Sequence, residues 1–195
     1  EKFYVWQLFT YMFLHSLSPF HILFNMLILW FFGSELEKHW GSRFFAVYYF
    51  LSGLGAAFIY CAGVAVYSSV TGVRAPLVIP VMGASGALFG LLLAYGIIFS
   101  ERIMYFLGMF PLKAKYFVLL VGAIDFASLL SSGFAGSEVA YLAHLGGILS
   151  GYLILKGHNH FKLKQVSDKL KKKSNLRLVI DNEKNDKKDN PKYWN

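Results

Sequence analysis

Three short stretches hold the side chains able to do chemistry. Residues 21–25 read HILFN, residues 83–86 read GASG and residues 143–147 read AHLGG. They offer an imidazole and an amide one helical turn apart (His21, Asn25), a hydroxyl between two glycines (Ser85), and a second imidazole ahead of a glycine pair (His144). A serine is a poor nucleophile unless a neighbouring base takes its proton, and histidine is the usual base. Attack on a carbonyl also builds an oxyanion that needs N–H donors. Ser85 with His144, and His21, Asn25 and the Ser85 backbone N–H as donors, are residue types suited to acyl transfer. Taken singly each has a plainer reading: a membrane serine commonly hydrogen-bonds its own helix backbone, and a His/Asn pair can simply tie two helices together.

Composition decides where such a set would sit. The chain has 195 residues, 56% of them hydrophobic, and a mean hydropathy of +0.47, which points to a polytopic membrane protein of all-α class. The net charge of +8 is uneven: residues 1–155 carry seven Lys/Arg against six acids, and residues 156–195 carry twelve against five. The basicity therefore belongs to the tail, where a juxtamembrane segment touching anionic lipid is favoured over a nucleic-acid site. With one cysteine, Cys61, neither an internal disulfide nor a multi-cysteine metal site can form. No cofactor or metal is expected: HExxH is absent, and His158 and His160 lie in the tail.

The elements that must position the three stretches follow from hydropathy. Residues 3–20 are aromatic, broken by Ser-Pro, and read as an interfacial loop. Spans are expected over about 21–33, 44–66, 85–100, 116–130 and 139–155, with residues 158–195 a largely disordered basic extension in which 161–166 or 176–180 forms at most a short element. The 85–100 span has only 16 residues, roughly 24 Å against a ~30 Å hydrocarbon layer, so Ser85 is expected below the membrane surface. Lys38, Arg43, Arg102, Lys113, Lys115 and the tail fall on alternate flanks, which the positive-inside rule assigns to the cytoplasm. Residue 1 then lies outside it, so a further span upstream of residue 1 is expected, leaving 1–157 a partial core.

The same orientation puts His21, Asn25, Ser85 and His144 in the outer leaflet, where such groups should face the bundle interior. Gly86 and Gly90 on one helix, and Gly147 and Gly151 on another, make small-xxx-small faces beside Ser85 and His144. Close contact there would bring hydroxyl and imidazole into hydrogen-bond reach. No acid is read as completing a triad: Glu138 is on a loop and Asp125 on another helix, with a helix–helix hydrogen bond as its default role. The expectation is a Ser/His dyad.

Together HILFN, the turn sequence ELEKHWGS, GASG and AHLGG, in that order, resemble the rhomboid family of intramembrane serine proteases, with the match covering about residues 6–155. The resemblance implies a six-span core, five spans of which fall within this chain, and an activity that cuts transmembrane proteins near the extracytoplasmic side. It makes Ser85 the nucleophile, His144 its partner, and His21, Asn25 and the Ser85 amide the oxyanion site, with Gly83 permitting the backbone geometry beside the nucleophile. Residues 116–138 would correspond to the family's mobile fifth helix and cap. Phe89 stands where some members have Tyr, so it can stack on His144 but not hydrogen-bond to it. Transmembrane protein substrates and membrane lipids are the expected partners, nucleic acid is not, and a bacterial cytoplasmic membrane is the expected location. A rhomboid-like protein that binds or chaperones membrane proteins without cutting them is the alternative.

Overall fold

The computed structural model describes residues 4–74, 80–106, 110–132 and 141–174. The chain divides into two units, Glu1–Gly157 and His158–Asn195. In the first, a short helix α1 (Gln7–Thr10) and a 3-10 turn (Tyr11–Phe13) precede α2 (Pro19–Ile28). Pro19 opens α2, where its fixed φ suits a helix start and its missing N–H is no loss. One wider π turn (Leu29–Gly33) leads directly into α3 (Ser34–Trp40). The first span thus runs past Gly33, its expected end, because Glu35, Leu36, Glu37 and Lys38 all favour helix. The break comes at Gly41, whose φ of +82° only glycine adopts without strain.

Helix α4 (Ser42–Thr71) has 30 residues, about 45 Å, and exceeds the expected 44–66 span at both ends. Helix α5 (Ser85–Ile98) has 14, about 21 Å. A two-stranded hairpin, β1 (Ile103–Phe106) with β2 (Phe110–Lys113), then leads to α6 (Ala114–Ser132) and α7 (Tyr141–Ser174). Among the described residues Pro19–Trp40, Ser42–Thr71 and Ala114–Ser131 are long and apolar enough to cross a membrane, and α5 is a shorter apolar helix. The protein is accordingly an all-α polytopic membrane protein with one small hairpin added.

That hairpin was not expected from hydropathy. Ile103 pairs with Lys113, Met104 with Leu112 and Tyr105 with Pro111, so Met104 faces the core while Ile103 and Tyr105 are exposed. It is anchored on both sides. Tyr95 Oη donates to Glu35 Oε2 at 2.9 Å and Arg102 ion-pairs with the same oxygen, joining α5 to α3. Exposed Glu101 accepts from Lys113 at 2.7 Å and from Lys115. Those two hydrogen bonds hold its carboxyl down at about 2, below the ordinary 4.5, so whatever the pairing contributes is present at neutral pH and lost as pH falls through that window. For so exposed a pair the contribution is small.

The second unit also departs from expectation. Residues 158–174 continue α7 as helix instead of a disordered extension, because beyond Gly157 the segment has neither Gly nor Pro and is rich in Lys. The expected element at 176–180 lies outside the described residues.

Helix α5 is the centre of the first unit. Gly86, Ala87, Leu88, Gly90, Leu91, Leu92, Ala94, Tyr95 and Gly96 are all buried. A Cβ on Gly86 would meet Ala56 Cβ at 2.7 Å and one on Gly90 would meet Ser52 Cβ at 2.8 Å, both on α4. On the other side, a Cβ on Gly147 of α7 would overlap the Gly86 carbonyl oxygen, and one on Gly151 would lie 3.1 Å from Gly90 Cα. Backbones touch here, so there is no flexible side chain to give way. Gly147→Ala should therefore lower the thermal midpoint by the equivalent of about 1–3 kcal/mol or prevent folding. Gly157→Ala, on the same helix with nothing within 4 Å of the added carbon, should leave it unchanged; equal midpoints for both variants would show that α5 and α7 do not touch.

Candidate active site

Contact between α5 and α7 sets the first relationship in the site. Ser85 is the first residue of α5 and His144 lies one turn into α7, and Ser85 Oγ is 2.8 Å from His144 Nε2. Phe89, one turn after Ser85, stacks on the imidazole with ring centroids 4.2 Å apart and planes 10° from parallel. Tyr141 meets the same ring edge-on at 6.4 Å. Clamped by these two rings, His144 is buried while Ser85 is half-buried.

On its other nitrogen His144 meets a residue that was not expected there. Nδ1 lies 2.7 Å from Asp125 Oδ1 on α6, with both side chains less than a tenth exposed. This corrects the expectation that no acid is placed to complete a triad. The separation of 19 residues hid the contact: α6 and α7 are separate helices, and their relative rotation is set by packing that hydropathy does not report. One signal was available, since a carboxylate inside an apolar helix is costly in lipid and is by default functional. Glu138, the other acid considered, lies outside the described residues.

The backbone before Ser85 is held in an unusual form. Gly83 has φ +113°, a conformation reserved in practice for glycine. Its N–H donates to the Tyr11 carbonyl at 2.9 Å, and Tyr11 Oη donates to the Gly53 carbonyl at 2.8 Å. The 3-10 turn of the aromatic segment thus fastens the loop ahead of the serine to α4, a role for Tyr11 that its aromatic, interfacial context concealed.

His21 and Asn25, four residues apart on α2, both point at Gly83. A Cβ placed there would lie 2.8 Å from His21 Nε2 and 3.6 Å from Asn25 Nδ2. His21 Nδ1 is contacted by the Ser16 N–H at 3.3 Å and by Ser16 Oγ at 2.9 Å. Because the backbone N–H can only donate, Nδ1 accepts, and in the neutral ring the proton sits on Nε2, facing Gly83. Asn25 Nδ2 is buried with no hydrogen-bond partner among the described residues. Two donors thus converge on the backbone two residues before Ser85. His15 packs edge-on against His21 with centroids 5.3 Å apart. Among the described residues no cluster of three His, Cys, Asp or Glu side chains is placed to hold a metal ion.

Residues 2–157 match the Rhomboid domain family model. The chain belongs to the rhomboid family. It is 35% identical over 154 residues to RHOMBOID-like protein 1 of Arabidopsis thaliana, covering 79% of this chain and 34% of that one. Against Rhomboid protease GluP of Bacillus subtilis it is 30% identical over 149 residues, 75% of this chain and 25% of the other. Against the mitochondrial Rhomboid protein 1 of Saccharomyces cerevisiae it is 32% identical over 135 residues, 68% and 36% of the two chains. This rhomboid therefore spans roughly a third or less of the length of these relatives, whose names and organisms place them in a plant, a bacterium and a yeast mitochondrion.

Gly83→Ala tests the donor arrangement. The variant strains φ and drives a methyl into His21, so Ser85 should lose reactivity toward a fluorophosphonate by ~10²-fold or more while the protein stays folded. Labelling at the unchanged rate would show that neither Gly83 nor the donors around it matter to Ser85.

Proposed function

We propose that this rhomboid is an intramembrane serine endopeptidase that cleaves transmembrane protein substrates near the extracytoplasmic side. The observation that carries the reading is the 2.8 Å contact between Ser85 Oγ and His144 Nε2, two residues along the chain from the Gly83 backbone at which His21 Nε2 and Asn25 Nδ2 are aimed. Relatives named as proteases support the same reaction class.

The reaction follows from the geometry. His144 Nε2 takes the Ser85 proton as Oγ bonds to the scissile carbonyl carbon. The carbonyl π pair moves onto oxygen, where His21 Nε2–H, Asn25 Nδ2–H and the Ser85 N–H receive it. Nε2–H then protonates the amine as the C–N bond breaks, leaving an acyl-serine that water cleaves by the same proton path in reverse. No cofactor takes part. A substrate helix hides its carbonyls in its own hydrogen bonds, so it must unwind locally before attack. The basic flanks, Lys38, Arg43, Arg102, Lys113, Lys115 and the segment from Lys156 onward, face the cytoplasm in this reading, with the last touching anionic lipid.

Ser85→Ala should abolish both cleavage of a transmembrane reporter and fluorophosphonate labelling in a folded protein, and His144→Ala should do nearly the same. His21→Ala and Asn25→Ala should each cost ~10²- to 10³-fold in cleavage rate. A folded wild type that neither cuts a panel of reporters nor labels would identify a non-catalytic client-binding rhomboid instead.

A further inference from the structure

We infer that Asp125 is a positioning residue for this reaction, holding His144 with its proton on Nδ1 and stabilising the imidazolium that forms on Nε2 protonation, so that the protein runs a Ser85–His144–Asp125 relay across three helices. The inference rests on the proposed serine mechanism and deepens it.

Two features separate this role from a simple tie between helices. The first is chemical. A tie between α6 and α7 requires only a hydrogen bond, and a neutral amide or hydroxyl would supply one, whereas a carboxylate placed at the centre of a membrane helix is costly. Here one oxygen, Oδ1, meets Nδ1 at 2.7 Å, while Oδ2 is buried with no hydrogen-bond partner among the described residues. A half-satisfied carboxylate is a poor fastener but a good counter-charge, because its unmet demand is answered when the ring beside it becomes cationic. The second is positional. Of the described side chains on α6, only Ala114 and Asp125 are buried. The helix turns one polar group inward, at the depth of the imidazole, and leaves most of its apolar surface outward.

The surroundings of His144 add no competing charge. Ser85 approaches from α5, His21 from α2, Phe89 covers one face and Tyr141 meets an edge. Asp125 is the one carboxyl group that contacts the ring among the described residues. Nδ1 must donate, since an ionised carboxylate only accepts; Nε2 is then left with its lone pair toward Ser85 Oγ, the tautomer a general base needs. During attack one proton moves, from Oγ to Nε2. The Nδ1 proton stays in place, and Asp125 remains ionised throughout.

Asp125→Asn keeps the shape and the ability to hydrogen-bond across to α7 while removing the charge. In the full chain in detergent or vesicles it should lower kcat and the fluorophosphonate labelling rate by about 10²- to 10⁴-fold, with KM and the thermal midpoint nearly unchanged. Labelling at the wild-type rate, or a loss confined to KM, overturns the inference. Should the variant fail to fold, ¹⁵N spectra of histidine-labelled wild type decide it: His144, assigned by difference from His144→Gln, should carry its proton on Nδ1, and an Nε2–H tautomer overturns the inference. Ser85→Ala separates the two levels. If it still labels, the serine mechanism itself has failed; if it does not label and Asp125→Asn does so at full rate, only the role of Asp125 has failed.

Discussion

The site depends on two helix backbones touching. Ser85 and His144 stand on different helices 59 residues apart in sequence, and their side chains are short. A hydrogen bond between them requires α5 and α7 to approach more closely than any side chain at the crossing permits. Gly86 and Gly147 make that possible, since even a methyl on Gly147 would overlap the Gly86 carbonyl. In lipid such a contact has no hydrophobic drive behind it and relies on dispersion and hydrogen bonding. Hydroxyls brace the two helices against α4. Tyr48 Oη donates to the Gly90 carbonyl of α5 at 2.8 Å, and Ser150 Oγ of α7 donates to the Ser52 carbonyl at 3.2 Å.

From that crossing the remaining arrangement follows outward. Helix α4 supports the opposite side of α5 through Ala56 and Ser52, against Gly86 and Gly90. It also receives Tyr11, whose backbone holds Gly83 and whose hydroxyl reaches Gly53. Gly83 in turn is where His21 and Asn25 converge. The chain from α4 through Tyr11 to Gly83 explains how an aromatic, surface-seeking segment takes part in the geometry of the loop ahead of Ser85. At the other end of α5, Tyr95, Glu35 and Arg102 fasten the helix to α3 and the hairpin. A helix of 14 residues cannot reach both membrane surfaces. Polar groups at each end take the place of the missing turns, Glu35 and Arg102 at the Tyr95 end and His144 at the Ser85 end.

What was legible in the sequence divides along physical lines. Local patterns carried the spans and the glycine faces, because hydropathy and small-residue spacing describe a helix without reference to its neighbours. They also marked His21, Asn25, Ser85 and His144. They failed where charge was taken to mean the end of a helix. Glu35, Glu37 and Lys38 belong to α3, and residues 158–174 to α7; in both places helix propensity outlasts apolarity, and α3 ends only at Gly41. The hairpin was missed for a different reason, since Pro111 argues against a strand and yet sits in a two-stranded ribbon opposite Tyr105, where its missing N–H can face outward. Asp125 was legible as an anomaly but not as a partner. Its meaning depends on how α6 is turned relative to α7, which nothing local encodes.

Asp125 and the donors on α2 pose one energetic question from opposite sides. A membrane interior penalises every polar group left without a partner, and among the described residues Asn25 Nδ2 has no acceptor and Asp125 Oδ2 no donor. In the proposed reaction one lies on the side where negative charge would appear on a substrate carbonyl, the other beside the ring where positive charge would appear. A fold selected for stability alone would satisfy both or replace them with apolar residues. A surplus donor and a surplus acceptor on either side of one hydroxyl make the resting state less stable than it could be, and in the proposed charge-separated state the oxyanion would accept from Asn25 while the imidazolium would offset the charge of Asp125. The close α5–α7 crossing supplies the stability against which that deficit is held.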